Sequence, residues 1–131
     1  MILDSDVLID IKRGSEAAAQ KWFANLREYP LVSRFSAIEL LFGSRDAREL
    51  REVEVFLDPF VLIWPSKSDV VRAMSYAKLK LHGGLGAFDA LTASLAVGRN
   101  ESLATFNTKH FRHVPDIRLI QPYNRTQPPN S

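Results

Sequence analysis

The chain has 131 residues, enough for one domain with a real core and too few for two. Hydrophobic residues make up 46% and charged residues 24%, an ordinary globular balance, and no apolar run approaches the ~20 residues of a membrane span. Seventeen Lys and Arg against fifteen Asp and Glu give a net charge of +2, which permits a polyanion partner without demanding one; cysteine is absent, which excludes disulfides and thiolate metal sites. No basic, apolar leader opens the chain, so a cytoplasmic protein is expected.

The predicted elements alternate. Ile2–Asp4 reads as a strand, too apolar to fray in water, and Val7–Lys12 as a short helix stopped by Gly14. Ser15 is placed to cap a helix over Glu16–Glu28, with Ala18, Trp22, Phe23 and Leu26 near helical spacing. After Pro30, Leu31–Ser33 reads as a strand. Ser36 opens a helix through Leu41 to Gly43, and Asp46 opens another that Pro59 ends. Phe60–Ile63 reads as a strand. Ser68 is placed to cap one helix carrying Val70, Ala73, Met74, Ala77 and Leu81, with His82 at its exposed end. Gly83, Gly84 and Gly86 form a break before Phe88–Val97, a helix apolar nearly all round apart from Asp89, Thr92 and Ser94. Leu103–Phe106 and Ile117–Ile120 close the set as strands. Such alternation predicts an α/β fold in three layers, a central parallel sheet with helices on both faces. Residues 1–123 form the domain, and 124–131 read as a disordered polar tail.

Three acids sit in apolar surroundings: Asp4, Glu39 and Asp89. A carboxylate buried without a partner is costly. Local roles exist for some. Ser36-x-x-Glu39 has the spacing of a capping box, Asp89 lies near a helix N-terminus, and Asp6 or Ser5 is placed to cap the first helix. A shared partner also exists. In a parallel sheet, strand carboxyl ends and helix N-termini gather on one edge, so all three acids arrive there. Carboxylates gathered that way repel one another unless a divalent cation sits between them, and oxygen-only ligands suit Mg²⁺ or Mn²⁺.

In this order and spacing, four segments resemble the PIN-domain ribonucleases, in particular the small VapC-type toxins. They are Ile2-Leu3-Asp4-Ser5-Asp6-Val7-Leu8-Ile9, Ser36 through Gly43 around Glu39, Phe88 through Ala96 around Asp89, and Leu103-Ala104-Thr105-Phe106-Asn107-Thr108-Lys109-His110-Phe111. The resemblance runs from Ile2 to about Tyr123. It implies a PIN fold, Mg²⁺- or Mn²⁺-dependent cleavage of RNA, an antitoxin protein as partner and a homodimer. A higher assembly with the antitoxin is implied too, touching operator DNA only through that partner.

Many relatives place an Asp at the position of Asn107, and some an acid at that of His110, so this chain has fewer charges at the site. Asp4, Glu39 and Asp89 are expected to be catalytic and to ligate the metal, Glu39 directly or through water. Asp6, Thr105 and Asn107 are expected around them, although Asn107 is equally placed as a plain turn residue. The last third of the chain carries Arg99, Lys109, Arg112, Arg118 and Arg125 with His110 and His113. Lys109, Arg112 and Arg13 are expected to contact the RNA backbone. Trp22, Phe23 and Phe42 are candidates for an apolar groove that seats the antitoxin, or else for ordinary core packing. Two other classes stay open. One is a PIN-like module that binds without cutting. The other is a haloacid-dehalogenase-type phosphatase with Asp4 as nucleophile, which Asn107-Thr108-Lys109 fits poorly.

Overall fold

The computed structural model describes residues 1–125. In chain order the elements are β1 (Ile2–Leu3), α1 (Ser5–Arg13), α2 (Ala17–Ala24), β2 (Leu31–Ser33), α3 (Arg34–Phe42), α4 (Ala47–Leu57), β3 (Val61–Ile63), α5 (Lys67–Ser75), α6 (Ala77–Gly83), α7 (Ala87–Gly98), β4 (Leu103–Ala104), α8 (Thr108–Phe111) and β5 (Leu119–Ile120). The strands form one sheet in the order β3-β2-β1-β4-β5, and every pairing is parallel. β1 is central, and its ladder bonds hold the start of the chain: Ile2 donates to the Ser102 carbonyl at 2.8 Å, and Leu31 donates to that of Met1 at 2.9 Å.

Alternating side chains split the core into two layers. Leu3, Val32 and Ala104 point to one face, where Val7, Leu8 and Ile11 of α1, Ala37 and Leu40 of α3, and Val53 and Leu57 of α4 cover them. Ile2, Ile63 and Leu103 point to the other, under Ala73, Ala93, Leu95, Ala96 and Phe111. The three-layer architecture expected from the alternation is therefore present. Among the described residues, no helix is long and apolar enough to cross a membrane.

Several local expectations are corrected. Ser36 does not open α3. Ser33, already at the strand end, caps it by accepting from the Phe35 N–H at 3.1 Å, and Ser36 is buried one turn inside, 3.5 Å from the Thr92 hydroxyl. Glu39 is thereby freed from any capping box. Ser66, not Ser68, caps α5, in a reciprocal box with Asp69. The single helix expected over 68–81 breaks at Tyr76, which is buried in the core and tightens the chain to i−3 bonds from Tyr76 to Ala73 and from Leu79 to Tyr76. Ser15 makes no cap. The cap position of α2 is Glu16, without a side-chain cap bond, and the helix ends at Ala24, short of Glu28. Of the tail expected at 124–131, Asn124 and Arg125 are tied down: Gln121 donates to Asn124 at 3.1 Å and Arg125 to Asp10 at 2.9 Å. Residues 126–131 lie outside the described residues.

The polar groups of α7 show how this helix is seated. Ser94 donates to the Asp69 carbonyl at 2.6 Å, and Arg72 bonds both the Ser94 hydroxyl and its carbonyl at 3.1 Å while pairing with Asp69 at 2.9 Å. A Cβ at Gly98 would collide with the Asp69 carboxylate and the Arg72 guanidinium. Both are committed to these bonds, so moving them breaks the α5 cap and the α5–α7 clamp. Gly98→Ala is expected to cost about 1–3 kcal/mol of stability. Thermal unfolding would show the drop, and an unchanged midpoint would mean the clamp is looser than described.

Candidate active site

Because all strands run parallel, their carboxyl ends share one edge, and that edge carries the acids. Asp4 directly follows β1 and is 2% exposed. Its Oδ1 accepts from the Ser5 N–H at 2.9 Å, capping α1, and its Oδ2 accepts from the Thr105 hydroxyl at 2.8 Å. Asp6 accepts from the Val7 N–H at 2.8 Å and the Phe106 N–H at 2.9 Å, and lies 3.4 Å from the Thr105 hydroxyl. Thr105, fully buried just after β4, also accepts from the Asn107 N–H at 3.0 Å. One hydroxyl thus links the β1 and β4 ends.

The other two acids come from helices whose N-terminal ends reach the same edge. Asp89 lies in the first turn of α7, and His110 of α8 approaches it to 3.8 Å. That is too long for a hydrogen bond, and the His110 Nδ1 is buried without a partner. Glu39 lies on the second turn of α3, which packs on α7. The charges of Asp6 and Asp89 act on Asp4, and that of Asp89 on Glu39, so the structure brings these acids to one edge in pairs. Lys109 stands exposed on α8, next in sequence to His110. Asn107 is exposed, and its side chain makes no cap bond to α8. Arg112 is exposed and turned toward His113 at 3.3 Å. Arg13 is not brought in. It ends α1, roughly 13 Å along the helix from Asp4, in a polar cleft with Arg45, Arg48 and Glu52.

Residues 1–117 match the PIN domain family over most of the chain. The chain belongs to the PIN domain family. Ribonuclease VapC10 of Mycobacterium tuberculosis is 36% identical over 116 residues, spanning 85% of each chain. Ribonuclease VapC19 of the same organism is 28% identical over 121 residues, covering 89% of this chain and 96% of its own length. Among solved structures, the DNA-bound VapBC of Salmonella typhimurium aligns with a TM-score of 0.78 over 91% of this chain and 95% of that one, at 20% identity. A toxin–antitoxin complex from Klebsiella pneumoniae aligns at 0.74 over 94% and 98%, at 22% identity. At such identities the structural likeness speaks for the fold. The family match leaves no place for the dehalogenase-type phosphatase.

The acids of this PIN domain are electrostatically uncomfortable. Burial pushes the Asp4 carboxyl up to about 7, and the charges of Asp6 and Asp89 push the same way against the bonds from Thr105 and Ser5. Burial raises Asp6, held back by the Phe106 N–H and by Arg125. Burial and then Asp89 raise Glu39, and burial raises Asp89 itself, with His110 opposing. The donor set is four hard carboxylates short of positive charge, which fits a divalent cation. Among the described residues, however, no group of three or more His, Cys, Asp or Glu side chains is gathered closely enough to hold a metal ion as it stands.

A second set of contacts holds Asp6 from outside, and it was missed in the sequence. Tyr123 donates to Asp10 at 2.8 Å, and the Arg125 guanidinium pairs with Asp10 at 2.9 Å, reaches the Asp6 carbonyl at 3.5 Å and lies 3.9 Å over the Phe106 ring. No local signal marks Arg125, because Asp10 and Asp6 lie more than a hundred residues upstream.

The Asp4 shift has a pH signature. Its folded value lies above its ordinary 3.8, so the folded state keeps a proton the unfolded state has lost. That contribution is complete below about pH 4 and is lost as pH rises through about 7, on the order of 4 kcal/mol. In EDTA, Asp4→Asn is therefore expected to gain stability over the parent between pH 5 and pH 8. Calorimetric midpoints giving parallel pH curves for the two proteins would contradict this.

Proposed function

We propose that this PIN domain is an endoribonuclease, the toxin of a toxin–antitoxin pair, and that it hydrolyses RNA phosphodiester bonds with Mg²⁺ or Mn²⁺. The observation that carries the reading is the gathering of Asp4, Asp6, Asp89 and Glu39 on one sheet edge, each raised in pKa and none paired with Lys or Arg among the described residues. The curated relatives named ribonucleases support it. Asp4 and Asp89 are the primary candidates to hold a cation, with Glu39 binding directly or through water. When bound, such a cation supplies charge to the scissile phosphate and acidifies a water. Thr105 fixes the Asp4 carboxylate through its hydroxyl. Asp6 is held by two backbone N–H groups and steadies the Phe106–Asn107 turn. A carboxylate left free of the cation, with Glu39 the most exposed candidate, can take the proton of the attacking water. Lys109 and Arg112 stand exposed on the α8 side to meet phosphates.

The partners follow from two apolar surfaces. A groove of about 360 Å³ between α2 and α4, lined by Phe23, Leu26, Tyr29, Phe56 and Phe60, has the character that an amphipathic antitoxin helix needs. Trp22 instead packs on Tyr123, and Phe42 stands 86% exposed at the end of α3, outside the lining of this groove. On the opposite layer, Val71, Met74 and Leu81 are exposed along α5 and α6, a surface suited to a second copy in a homodimer. Operator DNA would be reached through the antitoxin, and the compartment would be the cytoplasm.

The test uses protein freed of partner and a mixture of structured and single-stranded RNAs, with Mg²⁺, Mn²⁺ or EDTA. Cleavage is expected with either metal and not with EDTA, and the Asp4→Asn, Asp89→Asn double variant is expected to lose more than roughly 100-fold. Cleavage that survives EDTA or the double variant would overturn the site. Neither cutting nor metal binding would leave a module that binds without cutting.

A further inference from the structure

The acids occupy only the β1 and β4 ends of the active edge. The neighbouring ends carry a different pair. Arg34 begins α3 directly after β2, and Trp64 directly follows β3. Pairing of Ile2 with Leu31 sets Asp4 level with Ser33, and Ser33 pairs with Ile63. Arg34 and Trp64 therefore stand one residue beyond the row that holds Asp4. Trp64 is two strand spacings from β1, roughly 10 Å.

The pair has unusual chemistry for a surface with no role. The Arg34 guanidinium lies 4.7 Å from the centroid of the Trp64 ring, yet Trp64 is 69% exposed, so the ring face away from the arginine is open. Arg34 has no carboxylate within ion-pair distance among the described residues, and its Nε is buried without a hydrogen-bond partner. A second aromatic pair joins the residue after Arg34 to the residue before Asp89. Phe35 of α3 packs on Phe88 of α7 at 5.9 Å. Phe35 and Glu39 are four residues apart on α3, hence on one face, while Phe88 precedes Asp89.

The geometry points to Arg34 and Trp64 as a base-stacking subsite for single-stranded RNA, which seats a nucleotide flanking the scissile phosphate. This rests on the nuclease reading and names where its substrate lies. An edge lined with carboxylates repels a polyanion, so a strand crossing it needs cations on both sides. Lys109 supplies one beyond β4, and Arg34 the other beyond β1. Single-stranded RNA is held by stacking of splayed bases on aromatic rings and guanidinium planes, with basic groups on the backbone. An unpaired arginine laid on an open tryptophan offers both. An apolar protein partner would use the ring and leave the Arg34 charge unanswered, so RNA is the occupant the pair favours.

Two readouts test this. In an Asp4→Asn, Trp22→Phe background, which does not cut and leaves Trp64 as the only tryptophan, emission is followed while short poly(A) or poly(U) oligoribonucleotides are added. An abasic sugar-phosphate chain of equal length is the control. Quenching by the oligoribonucleotides and not by the abasic chain is expected. Followed by calorimetric titration in the Asp4→Asn protein, Trp64→Ala is expected to weaken binding about 5- to 100-fold, with Trp64→Phe recovering most of it. Arg34→Gln is expected to lower the salt slope of binding by about one. In the otherwise native protein, Trp64→Ala should raise KM for single-stranded RNA and leave kcat nearly unchanged. If the native protein cuts RNA and Trp64→Ala changes neither KM nor binding, the subsite is overturned while the nuclease reading stands. If nothing is cut but Trp64 is still quenched by bases alone, the subsite stands and the nuclease reading falls. A Trp64→Ala protein that changes its oligomeric state or loses a protein partner, with RNA binding intact, would assign the ring to a protein contact and overturn the proposal.

Discussion

Repulsion among carboxylates confined to one edge of a parallel sheet is the constraint on which the rest of this structure depends. The sheet order puts β1 in the centre with β4 beside it, so the Asp4 end and the Thr105 end must meet. Two helices, α3 and α7, bring Glu39 and Asp89 to the same place. Nothing about a hydrophobic core asks for four acids there, and burial makes each of them harder to ionise. Folding therefore holds a cluster that water would disperse. What holds it is mostly backbone: N–H groups of Ser5, Val7 and Phe106 point at the carboxylates, and one threonine hydroxyl spans β1 and β4.

The surrounding structure reads as support for that cluster. The α5–α7 clamp through Asp69, Arg72 and Ser94 fixes the helix that carries Asp89. The Asp10, Tyr123 and Arg125 contacts fix the turn that carries Phe106 and the first turns of α1. Burial raises the Tyr123 hydroxyl pKa further, and Asp10 adds to it, so this bond stays a neutral donor to a carboxylate. The two supports lie on opposite layers, one in each half of the core. The acids sit at the seam between them, where neither layer alone sets the geometry.

Much of this was legible in the sequence, for physical reasons. Asp4, Glu39 and Asp89 stand out because each interrupts an apolar run. The parallel sheet was legible because strand and helix patterns alternate. Gly14 stops α1 at a positive φ of 71°, a conformation glycine adopts freely. Other features were hidden. Ser36 had capping-box spacing, but Ser33 stood closer to the strand end and took the role. Tyr76 looked like a helix interior residue, yet the helix breaks there, where its ring is buried in the core. The contacts of Arg125, Arg34 and Trp64 could not be read, because they join residues well separated in the chain and no period marks them. Arg13 looked like an RNA contact in sequence, yet the length of α1 carries it away from the acids.

The measurement that goes most directly to the central claim is the thermal midpoint of the metal-free protein at pH 8, before and after addition of Mn²⁺. If repulsion among the edge carboxylates awaits a cation, Mn²⁺ raises the midpoint in proportion to the logarithm of its concentration above Kd. The Asp4→Asn, Asp89→Asn protein starts more stable and gains little. An equal rise in both proteins, or none in either, would contradict the account, because the acids would then be neither strained by one another nor answered by a metal.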